Sequence, residues 1–186
     1  MNLDKAINGR RAVREYTRDS VSEQTIRGLI DAAIQAPSAV NQQPWGFTIV
    51  RNQSLLDRIS HEAKVYMLAT TPANGLSEQM MLHLRNPEFQ IFYHAPALII
   101  ISADGPGPWA VEDCALAAQN LMLAAFAANL GSCWIGFAQK FLGTEAGKSL
   151  IRCPSPWTPV APIIIGHPAA PAAPVPRKEP IIRWVD

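Results

Sequence analysis

The stretch Ala97-Leu98-Ile99-Ile100-Ile101-Ser102-Ala103 is a continuous apolar run with no charge and no proline. It is read as a central strand, because a strand covered on both faces loses the alternation that solvent on one side would impose. The flanking sequence supplies the cover. Ser22 is placed to cap a helix whose apolar residues Ile26, Leu29, Ile30, Ala33 and Ile34 follow the spacing of one helical face. Gln53 to about Ala69 is amphipathic, with Leu55, Leu56, Ile59, Ala63 and Tyr66 on its inner stripe. Glu112 to Leu130 is apolar almost all round and is expected to be the longest helix, set in the middle of a core or in a subunit interface. Further strands are expected at Gly46 to Arg51, with Phe47 and Ile49 on one face, at Cys133 to Phe137, and at Pro162 to Gly166.

Shorter segments complete the reading. Asn2 to Asn8 suits a helix ended by Gly9, and Arg10 to Tyr16 alternates as an extended segment does. Thr70 to Asn86 begins as a loop around Pro72 and Gly75 and continues as a short helix through Met80, Met81 and Leu84. Another helix is expected around Thr144 to Ile151. Nine of the 16 prolines fall in residues 153–186, and Pro168 to Pro176 reads as an extended, polyproline-like strap. The strap ends in Ile181-Ile182-Arg183-Trp184-Val185, whose apolar side chains need a surface to cover.

Composition narrows the possibilities. A chain of 186 residues with 48% hydrophobic content suits one domain over residues 1–186 with a sizeable core. The formal charge of +1 gives no overall field toward nucleic acid or an anionic membrane. Cys114, Cys133 and Cys153 form no CxxC pair and read as reduced, buried thiols of a cytoplasmic protein. The first residues show no apolar signal region, and no segment is long enough to span a bilayer.

Ala36 to Trp45 (Ala-Pro-Ser-Ala-Val-Asn-Gln-Gln-Pro-Trp) is the loop with the most chemical potential. It is neutral and rich in short hydrogen-bonding side chains, and Pro44 is expected to force Gln43 into an extended conformation. Such a loop suits a polar, uncharged heterocycle better than a phosphate; it also suits a connection that satisfies only its own backbone. Gly105-Pro106-Gly107-Pro108-Trp109-Ala110 matches a dinucleotide fingerprint as a string but not as a mechanism. Pro106 and Pro108 have no N–H to offer a pyrophosphate, and Glu112 and Asp113 would repel it. His61, His83, His94 and His167 are scattered and read as surface or hydrogen-bonded residues, so no metal site is expected. Two basic clusters remain, Arg10, Arg11 and Arg14 at one end and Arg177 and Lys178 after the strap. Either alone reads as a solvated face. Together they supply charge-assisted donors for one phosphate, which beside a neutral amide loop points to a mononucleotide-like cofactor.

Four pieces in order carry a resemblance: Arg10-Arg11-Ala12-Val13-Arg14; Ala36 to Trp45; Asp113-Cys114-Ala115 through Gly131-Ser132-Cys133-Trp134-Ile135-Gly136; and Gly166-His167-Pro168 with Arg177-Lys178. They resemble the nitroreductase family of FMN-dependent oxidoreductases over nearly the whole length. The resemblance implies an α+β fold with a mixed, mostly antiparallel sheet flanked by helices. It implies a homodimer with FMN at the subunit interface, whose C-terminal arm (residues 167–186) reaches the partner. Arg10, Arg11 and Arg14 would hold the phosphate and ribityl chain, and Arg177 and Lys178 would reach the phosphate. Pro37, Ser38, Asn41 and Gln43 would line the flavin from the partner subunit. Trp134, Ile135 and Gly136 would pass along the ring, with a backbone N–H of Ile135 or Gly136 at flavin N5.

The implied reaction takes hydride from NADH or NADPH onto the flavin and passes it to a nitroaromatic, quinone or similar planar acceptor by a ping-pong mechanism. The cofactor carries that chemistry, so no proton-relay triad is expected. Two departures stand out. Ala12 replaces the family's usual serine, and residues 70–93 lack an obvious counterpart of the polar residues that contact flavin or nicotinamide in larger members. A specialised relative (dehalogenase-like or flavin-fragmenting) and a non-catalytic FMN carrier are the alternatives. A nucleic-acid module built on the arginines is disfavoured by the near-neutral charge.

Overall fold

A computed structural model describes residues 2–72 and 75–186. Its centre is a four-stranded sheet in the order β1-β2-β4-β3, formed by β1 (Trp45–Val50), β2 (Ala97–Ala103), β3 (Gly131–Trp134) and β4 (Thr158–Gly166). All three ladders are antiparallel. The parallel part of the expected mixed sheet is confined to an isolated bridge between Ala12 and Ser132.

Every residue of β2 is buried. Ala97, Ile99, Ile101 and Ala103 face one core and Leu98 and Ile100 the other, the period-two alternation of a strand lying between two helical layers. Each isoleucine or leucine held there contributes roughly 1.5–3 kcal/mol of transfer free energy. One layer is α2 (Glu23–Ala33) packed on α5 (Ala110–Ala127); the other is α3 (Gln53–Thr70) packed on α6 (Gly136–Leu142). Helices α1 (Leu3–Gly9), α4 (Glu78–Arg85) and α7 (Glu145–Leu150) complete the described helical structure, with a single 3-10 turn at Ala39–Asn41. Side-chain caps mark the starts that the sequence offers: Asn2, Ser22, Asn52, Ser77 and Thr144 each accept a first-turn N–H.

Several expectations change. Helix α5 shares the greatest length with α3 at 18 residues each. Its stripe of small residues, Ala110, Cys114, Ala117, Ala118 and Ala125, sits on the sheet, while Val111 and Leu116 are exposed. The strand expected at Cys133 to Phe137 runs instead over Gly131–Trp134. It begins earlier because Gly131 pairs with Gly166, and it ends earlier because Gly136 opens α6. Phe47 packs on the first core, but Ile49 is half exposed on the edge strand. The loop expected around Pro72 and Gly75 includes residues 73 and 74, which lie outside the described residues. From Pro171 onward the strap has no secondary structure, and Ile181, Ile182, Trp184 and Val185 are exposed.

Candidate functional site

The arginine segment is clamped from both sides. Val13 N–H donates to Ser132 O at 3.0 Å, Thr17 N–H to His167 O at 2.9 Å and Ala169 N–H to Glu15 O at 3.0 Å. Tyr16 Oη donates to Val13 O at 2.7 Å. Residues 10–16 therefore lie between the edge strand β3 and the start of the C-terminal strap. Gly9 lets α1 end against the Phe126 ring, where a Cβ would collide.

Four hollows touch this segment. One, of about 880 Å³, is lined by Arg14, Glu15, Tyr16, Arg18, Glu88 and Tyr93. The other three are linked through shared residues. The first of these, of about 420 Å³, is lined by Lys5, Arg10, Arg11 and Ser132, together with Phe126, Asn129 and Leu130. No carboxylate lines it. Arg11 Nη1 donates to Asn8 O at 2.7 Å and Arg10 O at 2.8 Å, whereas its buried Nε has no partner among the described residues. The second hollow, of about 250 Å³, shares Arg11 with the first and is lined by Arg14 and Glu15 on one side and by strap residues Ala170, Pro171, Ala172, Ala173 and Val175 on the other. The third, of about 360 Å³, shares Arg14 with the second and is lined by Met80, Tyr93, Cys133, Trp134, Ile135, Gly136 and Phe137. One surface thus runs from a cationic end to an aromatic end.

At the aromatic end the Arg14 guanidinium lies over the Tyr93 ring, 5.9 Å from its centroid. Burial pushes the Tyr93 hydroxyl upward in pKa, with Arg14 pulling the other way. Burial also pushes the Cys133 thiol up, opposed by Arg14 and Arg10, which disfavours the thiolate. Ile135 N–H is committed to Pro162 O at 2.8 Å. Gly136 is the first residue of α6, where amides have no intrahelical acceptor, and a Cβ on it would meet nothing. Of the two backbone donors expected here, Gly136 is the available one.

The amide loop is built differently from expectation. Gln43 is left-handed at φ 51 rather than extended, as are Val40 at 45 and Asn41 at 57. Two local hydrogen bonds and one from the end of β2 override the preference imposed by Pro44. Ser38 Oγ accepts Gln43 N–H at 2.9 Å, Gln43 Nε2 donates to Asn41 Oδ1 at 2.9 Å, and Pro44 O accepts Asp104 N–H at 2.8 Å. Those bonds leave Asn41 Nδ2, Gln43 Oε1 and the Ser38 hydroxyl proton for other partners.

One of the expected groups is far from Arg10 and Arg11. Pro37, Ser38, Asn41 and Gln43 sit beside the first turn of α5, where Asp113 Oδ1 accepts Ala39 N–H at 3.0 Å. Arg10 and Arg11 lie at its far end, beside Phe126 and Asn129. From Asp113 to Phe126 the helix rises about 20 Å. Arg177 and Lys178 are exposed on the strap and line none of the three linked hollows. Sequence reasoning missed Lys5, one helical turn before Gly9, and Tyr93, whose role depends on a contact with Arg14 across the fold.

The family model described as the nitroreductase family matches residues 7–167. The chain belongs to this family. A protein of Methanothermobacter thermautotrophicus named "Putative NADH dehydrogenase/NAD(P)H nitroreductase" is 32% identical over 174 residues, covering 91% of this chain and 78% of its own length. One of the same name from Archaeoglobus fulgidus is 29% identical over 169 residues, covering 88% and 84%. Among solved structures, a nitroreductase with bound FMN from Bacteroides fragilis superposes with a TM-score of 0.85 at 24% identity, each chain covered completely. The nitroreductase fold is therefore the fold of this chain: an antiparallel four-stranded sheet between helical layers.

Proposed function

We propose that this nitroreductase-family chain is an FMN-dependent oxidoreductase that takes reducing equivalents from NADH or NADPH and delivers them to a planar acceptor such as a nitroaromatic or a quinone. The observation that carries the reading is the continuous surface from the carboxylate-free hollow of Lys5, Arg10 and Arg11, past Arg14, to the open backbone of Gly136. The donor set suits a mononucleotide. Forked guanidiniums match phosphate oxygens, and the orphaned Arg11 Nε is a further buried donor in search of an acceptor.

FMN would supply the two-electron chemistry when bound. Arg10, Arg11, Arg14, Arg177 and Lys178 would hold its phosphate and ribityl chain. Trp134 and Ile135 would wall the ring, and Gly136 N–H would donate at its reactive edge. Ser38, Asn41 and Gln43, with Pro37 shaping their loop, meet α5 about 20 Å along its axis from Arg10 and Arg11 in the same chain. They reach the same cofactor only from a second copy, so the working unit is a homodimer with its sites at the subunit interface. The strap is the segment placed to extend onto the partner. Donor and acceptor use one open face by turns, which gives ping-pong kinetics.

The test is the visible spectrum of the purified protein before and after anaerobic NADH or NADPH, followed by steady-state kinetics. A flavin spectrum that bleaches, with parallel double-reciprocal lines, is expected. A colourless protein that ignores added FMN removes the reading, a flavin that will not bleach leaves only an FMN carrier, and intersecting lines remove the shared face.

A further inference from the structure

Asp113 lies in the first turn of α5 and is 3% exposed. Its Oδ1 accepts the Ala39 N–H from 74 positions away, and its Oδ2 is buried with no partner among the described residues. A buried carboxylate satisfied on one oxygen is poor material for stability alone. It is good material for fixing a geometry, and it sits at the positive end of a helix that favours its charge. What it fixes is strained. Within four positions of Ala39, Val40, Asn41 and Gln43 all hold left-handed backbone, which a side chain with a Cβ disfavours. The loop's own bonds, from Gln43 N–H to Ser38 Oγ and from Gln43 Nε2 to Asn41 Oδ1, close the turn on itself. The Asp113 bond is the side-chain tie that anchors the turn to the fold.

We propose that Asp113 is a positioning residue for the amide loop, holding Ala39 so that Ser38, Asn41 and Gln43 are presented in one fixed arrangement. The proposal rests on the FMN reading above, because those three side chains are its polar contacts to the ring. Asp113 is enclosed within its own subunit, so it acts on the cofactor through the loop rather than by touching it.

The test removes the bond from each end in the full-length, FMN-loaded protein. Asp113→Ala removes the acceptor. Ala39→Pro removes the donor while leaving Asp113 intact, and Ser38 is already extended, as a residue before proline must be. Asp113→Asn keeps a carbonyl oxygen that can accept the same N–H. The readouts are the FMN dissociation constant and the visible circular dichroism of the bound flavin, both taken well below melting. Asp113→Ala and Ala39→Pro are each expected to weaken FMN about tenfold and to change the flavin dichroism, with Asp113→Asn within about threefold of the parent. If Asp113→Ala fails to fold, Ala39→Pro carries the comparison. Variants that melt earlier yet keep the parent's affinity and dichroism would overturn the positioning role and leave the FMN reading standing. A parent protein that binds no FMN overturns both.

Discussion

Placing a methyl group on Gly131 is the sharpest probe of how the arginine segment is held. A Cβ there would stand 2.7 Å from both Cβ and Cγ1 of Val13 and 2.9 Å from Cγ2, where ordinary contact begins at 3.4 Å. The overlap approaches 0.7 Å on two atoms of a β-branched side chain that has few rotamers in which to escape. Val13 is also tied through its N–H to Ser132 O at 3.0 Å, so relief requires the whole segment to lift. Gly131 is not in the left-handed region, so no backbone strain is mixed into the effect. Overpacking costs about 1–3 kcal/mol, and a crowded partner that cannot turn puts Gly131→Ala in the upper half of that range. Denaturant titration followed by far-ultraviolet circular dichroism gives the value. Val13→Gly removes the opposing side chain, and the double variant should be less destabilised than the sum of the two by about 1–2 kcal/mol. Because Arg10, Arg11 and Arg14 move with Val13, FMN affinity should fall in Gly131→Ala and recover in part in the double variant. Additivity of the two substitutions, or a Gly131→Ala protein as stable as the parent, would refute the packing argument.

Two further perturbations follow from buried polar groups. Lys64 is 7% exposed and its Nζ donates to Asn86 O at 2.9 Å, Phe89 O at 2.6 Å and Pro87 O at 3.4 Å. Lys64→Met keeps the stem but orphans those carbonyls, and denaturant titration should show a loss of about 2–3 kcal/mol. Burial, then the nearby Asp113 and Asp104 charges, push the Cys114 thiol from 9.0 up to about 12. A raised acid is stabilising while the unfolded thiol is still protonated, so its contribution is whole below pH 9.0 and disappears as pH climbs to about 12. Cys114→Ala should flatten that alkaline fall in a pH series of melts.

Much of the fold was legible because its strongest signals are periodic. The uncharged run of β2 and the helical spacing of α2 each state how they are buried, whereas α5 reads as apolar almost all round and its small-residue stripe shows only in the fold. The boundary at Gly136 was not legible, since Cys133 to Phe137 is as apolar as a strand and the start of α6 has no side-chain cap. Lys64 left a faint trace. It falls in phase with Leu56, Ser60 and Met67 on the inner stripe of α3, but only the turn of residues 86–89 makes that burial tolerable. Gln43 misled because the rule for a residue before proline is local, and the Ser38 hydroxyl that overrides it acts from five residues away. The candidate site was legible as residue types and not as an arrangement. Nothing in the spacing of Arg10 and Asn41 says that α5 keeps them apart.

The complete burial of β2 also bears on how the chain must be made. Its seven residues are uncharged, free of proline and rich in isoleucine, which is the composition of a segment that self-associates when bare. During synthesis β1 is already available for one edge, but α5 has yet to cover one face and α6 the other. The strand that closes the second edge, β4, begins only at Thr158. This aggregation-prone segment therefore waits for the last strand of the sheet to leave the ribosome, and that interval leaves it open to misassembly.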